Sequence, residues 1–162
     1  MLQTIEYKNP KLDRSRWRAG IWDNEPDKKQ WQDPATSLAC LIVRNHFGNL
    51  CGYVGVPKTH KLYGIGYGAA PDVSVHGGLT FANKCAEGQC EEGSICHLAP
   101  EGEDDVWWFG FDCAHAGDMC PERNLSSLGE TYRDFAYVTA EVTALAAQLH
   151  TPRDSGSSGG DR

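Results

Sequence analysis

The chain has no apolar run approaching the roughly 18 residues that a membrane span requires, and it carries no block of lysines or arginines. Its opening, Met1-Leu2-Gln3-Thr4-Ile5-Glu6-Tyr7-Lys8, lacks the charged-then-apolar order of a secretory signal. There is no internal repeat. The glycine-rich stretch at residues 64–68 lacks the Lys-Ser/Thr ending and following helix of a phosphate-binding loop. These absences argue against membrane insertion, secretion and a P-loop nucleotide enzyme. With 22 acidic against 15 basic residues and a net charge of -7, binding to a broad nucleic-acid phosphate surface is disfavoured too. The expectation is a cytoplasmic protein without nucleic-acid or membrane partners.

Seven cysteines form an odd set without the regular frame of a small secreted scaffold, so the expectation is thiols or metal ligands rather than disulfides. A chain of 162 residues is long enough to bury a core without such staples. Residues 1–150 are read as one domain and residues 151–162, rich in Gly and Ser, as a disordered tail.

Residues 1–36 are polar and broken by Pro10, Pro26 and Pro34, yet hold Trp17, Trp22 and Trp31, which predicts an irregular arm pinned to the core by indoles. Short apolar runs at 38–43 and 50–56, separated by a Gly-containing turn, predict two strands; runs at 73–81 and 106–111 predict two more. Residues 83–105, rich in Cys, Glu and Gly, read as an insertion. Apolar residues at three- and four-residue spacing from Phe135 to Leu149 predict a helix over 132–149, opened by a Thr131/Asp134 capping pattern. The fold class is therefore α+β: a mostly antiparallel sheet covered by a C-terminal amphipathic helix.

Candidate chemistry concentrates where apolar runs end. After Trp107-Trp108-Phe109-Gly110-Phe111 come Asp112, Cys113, His115 and Asp118. A carboxylate or imidazole beside aromatics is partly desolvated and must find hydrogen bonds, a counter-charge or a metal. If the strand passes into one helical turn, Asp112, His115 and Asp118 share a face and could bind a divalent metal or act as acid and base. The alternative is structural: Asp112 caps the turn while His115 and Asp118 pair locally. His76, followed by Gly77 and Gly78, is expected to face that cluster, with the glycine N–H groups open to an anion; the alternative is a histidine bonded to a nearby carbonyl.

Tyr53 and Tyr67, with Tyr63, Trp107 and Trp108, could line a ring-binding pocket, although most of them suit a core. Cys85, Cys90, Cys96 and His97 provide a zinc ligand set at wider spacing than zinc knuckles use, with unligated loop thiols as the competing reading. Cys113, two residues from His115, could be a nucleophile but fits a small core residue better.

Four motifs in order, Trp22-Asp23-Asn24-Glu25-Pro26-Asp27-Lys28, Cys51-Gly52-Tyr53-Val54-Gly55-Val56-Pro57, Val75-His76-Gly77-Gly78-Leu79-Thr80-Phe81 and the run from Trp107 to Asp118, resemble a group of small uncharacterised proteins encoded by bacteriophages and prophages. The likeness spans residues 17–149, includes the Tyr132-Arg133-Asp134 helix start, and departs at Lys61, where the pattern has proline. It implies a setting in the infected bacterial cytoplasm and no catalytic assignment. On these grounds the expected function is hydrolysis of a small nucleotide-like or phosphorylated substrate at His76, Asp112, His115 and Asp118, with Gly77, Gly78, Tyr53 and Tyr67 binding the ligand. The alternatives are a binder that sequesters a small molecule without chemistry, or an inhibitor of a host protein, either serving to counter host defence.

Overall fold

Apolar and β-branched residues on both faces of residues 39–44 and 50–57 make these the two central strands of the sheet. The computed structural model, which describes residues 2–70, 72–85, 91–99, 105–123 and 129–150, contains six strands: β1 (Ile5–Tyr7), β2 (Lys28–Gln32), β3 (Ala39–Arg44), β4 (Leu50–Pro57), β5 (Phe81–Asn83) and β6 (Val106–Asp112). Their order is β1-β2-β3-β4-β6-β5, with every neighbour antiparallel. One helix, α1 (Phe135–His150), packs on β3 and β4. This is the expected α+β arrangement. The 151–162 tail lies outside the described residues.

Side-chain alternation sorts the core into two faces. Cys40, Ile42, Val54, Val56, Phe109 and Phe111 meet Val138, Val142, Leu145 and Leu149 of the helix. Gly52 makes that approach close, because a methyl there would run into Phe111 and Val142. Leu41, Val43, Cys51, Tyr53 and Trp108 form the opposite face. Residues 91–98 lie against that second face: Lys28 Nζ donates to the Glu91 carbonyl at 2.6 Å, and Gln30 exchanges hydrogen bonds with Leu98 at 2.8 and 3.1 Å.

Four expectations are corrected. The arm is not irregular throughout, since it supplies β1 and β2; β2 reads Lys-Lys-Gln-Trp-Gln, and its buried Lys28 and Gln30 pair with carbonyls instead of giving an apolar signal. The strand expected over 73–81 is confined to Phe81–Asn83. Upstream, Gly77 and Gly78 adopt φ +70° and +81°, which breaks an extended chain, and the backbone N–H groups of Ser74 and His76 bond to Gln148 and Glu141 of α1 rather than to a strand. The helix begins at Phe135 because Asp134 is its cap: the Asp134 carboxylate accepts from the Tyr137 N–H at 2.9 Å, and Glu25 of the arm accepts from the Phe135 N–H at 2.9 Å. Finally, Cys85 and Cys96 are joined in a disulfide, whereas Cys40, Cys51, Cys113 and Cys120 are free and buried, as core residues should be.

No helix among the described residues is long and apolar enough to cross a membrane.

Candidate functional site

Where β6 ends, Asp112 turns the chain. Its carboxylate accepts from the Ala114 N–H at 3.1 Å and the Thr80 hydroxyl at 3.2 Å, so the Asx cap considered as the structural alternative is present. The segment that follows is held from below by the β3–β4 hairpin, where the Asn49 amide donates to the carbonyls of Cys113 at 2.8 Å and Met119 at 3.3 Å. Residues 115–118 close a turn, with Asp118 N–H donating to the His115 carbonyl at 2.9 Å. It is a tight turn and not the helical turn under which the three residues would share a face, with Gly117 at φ +92° supplying the reversal.

That turn drives Asp118 inward until only 1% of its side chain is exposed. Three groups converge on it. His76 Nε2 lies 2.8 Å from Oδ2 and 3.1 Å from Oδ1, the His115 N–H donates to Oδ2 at 3.0 Å, and Arg133 Nε donates to Oδ1 at 2.9 Å. Burial alone would raise the Asp118 carboxyl, but the hydrogen bonds from His76, His115 and Arg133 outweigh it and hold the group below its ordinary value.

His76 is fixed on both sides. With its Nε2 proton donated to Asp118, Nδ1 accepts from the Tyr137 hydroxyl at 2.8 Å, and the backbone N–H of His76 donates to Glu141 at 2.8 Å. Tyr137 in turn lies under the Arg133 guanidinium, 4.9 Å from its centre, and its phenol is raised by burial and by the Glu141 charge. The face of α1 thus orients the imidazole by side chains four residues apart.

His115 is the more open partner, with 36% of its side chain exposed. Its ring centre is 5.9 Å from that of His76 and rests on Gly77, where a methyl would collide with the imidazole. Its Nδ1 is buried but makes no hydrogen bond; the nearest carboxylate oxygens are Asp112 Oδ1 at 3.4 Å and Asp118 Oδ2 at 3.8 Å. The expected meeting of the His76-Gly77-Gly78 segment with the end of the aromatic strand is therefore present in the fold.

Other candidates lie elsewhere. Tyr53 is buried on the opposite sheet face, with its ring over Gly110 and edge-on to Phe81 at 5.5 Å. Tyr67 is exposed in a short 3-10 turn. Neither makes a hydrogen bond or ring contact to His76, His115 or Asp118 among the described residues, although the Asp112 charge reaches Tyr53. Cys85 and Cys96 are consumed by their disulfide and cannot supply thiolates while it is intact, Cys90 lies outside the described residues, and His97 packs edge-on against Trp108 at 5.1 Å. Two of the four candidate zinc ligands, Cys85 and Cys96, are thus occupied with each other. Cys113 is buried, and that burial together with the Asp118 charge pushes its thiol far up, which suits a core residue and not a nucleophile.

No protein-family model, no curated protein and no solved structure matches the chain.

Sequence reasoning missed Arg133, Tyr137 and Glu141. Tyr137 and Glu141, four residues apart on α1, share a helical face, and that polar pair beside the apolar stripe was the available signal; Arg133 precedes the helix.

Proposed function

We propose that the chain is a hydrolase of small phosphorylated or nucleotide-like substrates, working at His76, His115 and Asp118. The observation that carries this reading is a buried carboxylate, Asp118, bonded by the His76 imidazole and the Arg133 guanidinium, with the half-open His115 imidazole 3.8 Å from it. Asp118 is the fixed charge that orients the others. His115, held against it and open to solvent, is placed to meet a water molecule.

Arg133 supports the phosphorylated class of substrate. It uses Nε on Asp118, while its two terminal nitrogens have no partner among the described residues and suit phosphoryl oxygens. In the reaction, water attacks phosphorus, the bond to the leaving oxygen breaks, and the proton taken from water is returned to that oxygen. Asp112 serves this site by shaping the turn through Ala114 and Thr80. The likeness to phage and prophage proteins gives the reading its setting, in which removal of a nucleotide signal would counter host defence.

The test is turnover of a panel of p-nitrophenyl phosphomonoesters and diesters and of nucleoside mono-, di- and triphosphates. Hydrolysis of at least one class, lost in His115→Ala, is the expected result. Absence of turnover across the panel, or turnover indifferent to His115→Ala, would overturn it.

A further inference from the structure

We infer that His76, His115 and Asp118 are the protein ligands of one divalent d-block cation, with zinc the best fit to their donor atoms. The inference rests on reading this cluster as a working site, and it specifies how the site activates water.

The ligand atoms, one from each residue, all lie within 4.8 Å of one another; His76 Nε2 to Asp118 Oδ2 is 2.8 Å and His115 Nδ1 to Asp118 Oδ2 is 3.8 Å. Nitrogen and oxygen ligands sit about 2.0–2.2 Å from zinc, so two of them on a tetrahedral ion stand about 3.3 Å apart. The measured separations bracket that value. Placing these donors on one sphere changes each of the two separations by about 0.5 Å.

Two further observations point the same way. The buried His115 Nδ1 has no hydrogen bond and lies between two carboxylates, 3.4 Å from Asp112 Oδ1 and 3.8 Å from Asp118 Oδ2. Buried polar atoms are normally paired, so this one has a lone pair available for a ligand. The second is the support behind His76. Metal-bound imidazoles usually have their other nitrogen fixed by a hydrogen bond, and Tyr137 stands 2.8 Å from His76 Nδ1. Because a phenol both donates and accepts, His76 can move its proton from Nε2 to Nδ1, free Nε2 for metal, and keep the bond to Tyr137.

Two imidazoles and one carboxylate leave a fourth tetrahedral position for water, which is the composition of catalytic rather than closed structural zinc sites. Imidazole nitrogens also favour zinc over magnesium, whose ligands are oxygens. Arg133 stays on Asp118 and limits the negative charge that the site presents.

Isothermal titration of the metal-free full chain with zinc chloride, and separately with magnesium chloride, tests this. Zinc should bind one to one and magnesium should not compete. His115→Ala and Asp118→Asn should each weaken zinc by at least about 100-fold, and Tyr137→Phe, which removes only the support, by about 10-fold. His46→Ala, on the β3–β4 turn, should leave the titration unchanged. Should Asp118→Asn fail to fold, His115→Ala and Tyr137→Phe decide the matter. No zinc binding by the parent chain, or binding that His115→Ala leaves intact, would overturn the inference. Phosphoester turnover that survives complete chelation would overturn it while leaving the hydrolase reading standing; zinc binding with no turnover would support it while removing that reading.

Discussion

Tyr132 and Arg133 are neighbours in sequence, yet they serve two polar clusters of opposite character. Tyr132 joins a knot around Arg44, whose side chain is wholly buried: Nε donates to Asp27 at 2.9 Å, and the terminal nitrogens to Glu25 at 3.0 Å, the Tyr132 hydroxyl at 2.7 Å and the carbonyls of Gly48 and Pro26. Asp27 also receives Arg14 and the Asn9 N–H, and Glu25 caps α1. Five donated bonds match the capacity of a guanidinium, so nothing is left for a ligand. Arg133 joins the other cluster, where the Arg133 terminal nitrogens and both His115 ring nitrogens have no hydrogen bond among the described residues and the His115 side chain reaches solvent. A polar cluster that satisfies itself ties a fold together. One that leaves donors and acceptors over has them available for chemistry.

The comparison breaks first at Arg44. Arg44→Met leaves Glu25 and Asp27 buried without their main counter-charge and should destabilise the chain by about 3–5 kcal/mol, read from urea unfolding. A loss below about 1 kcal/mol would mean that the knot is not the structural element described. On the other side, His115→Ala should cut phosphoester turnover at least about 100-fold, as removal of a water-activating group does.

Gly77→Ala tests the working cluster without removing any of its groups. A methyl there is strained at φ +70° and collides with the His115 ring, so the expected cost is about 1–2 kcal/mol of stability together with loss of zinc binding. Unchanged zinc affinity would show that His115 need not lie where it does.

Much of the architecture was legible because it is written in apolar residues. The β3–β4 hairpin, β6 and α1 each carry a continuous or periodic apolar signal, and the meeting of His76-Gly77-Gly78 with the turn after β6 followed from two polar breaks that each needed a partner. What escaped was polar structure that stabilises itself across long separations. Lys28 and Gln30 carry no apolar signal, and the carbonyls that satisfy them when buried come from residues 91–98, more than sixty positions away, and from Gln3, just before β1. Arg44 at a strand end and Glu25 in the arm gave no hint of each other, because an ion pair has no periodicity. The same limit hid the Arg133–Asp118 pair, whereas the grouping of Tyr53 with Tyr67 overlooked strand alternation, which sends Tyr53 to the face away from the helix.

The smallest expected effect is a pH dependence that belongs to the knot. Burial would raise the Asp27 carboxyl, but the bonds from Arg14, Asn9 and Arg44 lower it overall. Its folded value is thus below the unfolded one, about 3.9, so its contribution is complete above about pH 4 and is lost as pH falls through the folded value. Urea midpoints between pH 5 and 2 should decline less steeply in Asp27→Asn than in the parent.

The contrast between the two clusters is tested most directly by urea unfolding of His115→Ala. A side chain kept for chemistry, with its Nδ1 buried and unbonded, contributes little to stability and its removal can even help. The free energy of unfolding should equal the parent's within about 0.5 kcal/mol, or exceed it. A loss of about 2 kcal/mol or more would put His115 in the same class as Arg44 and contradict the assignment of this cluster as the working site.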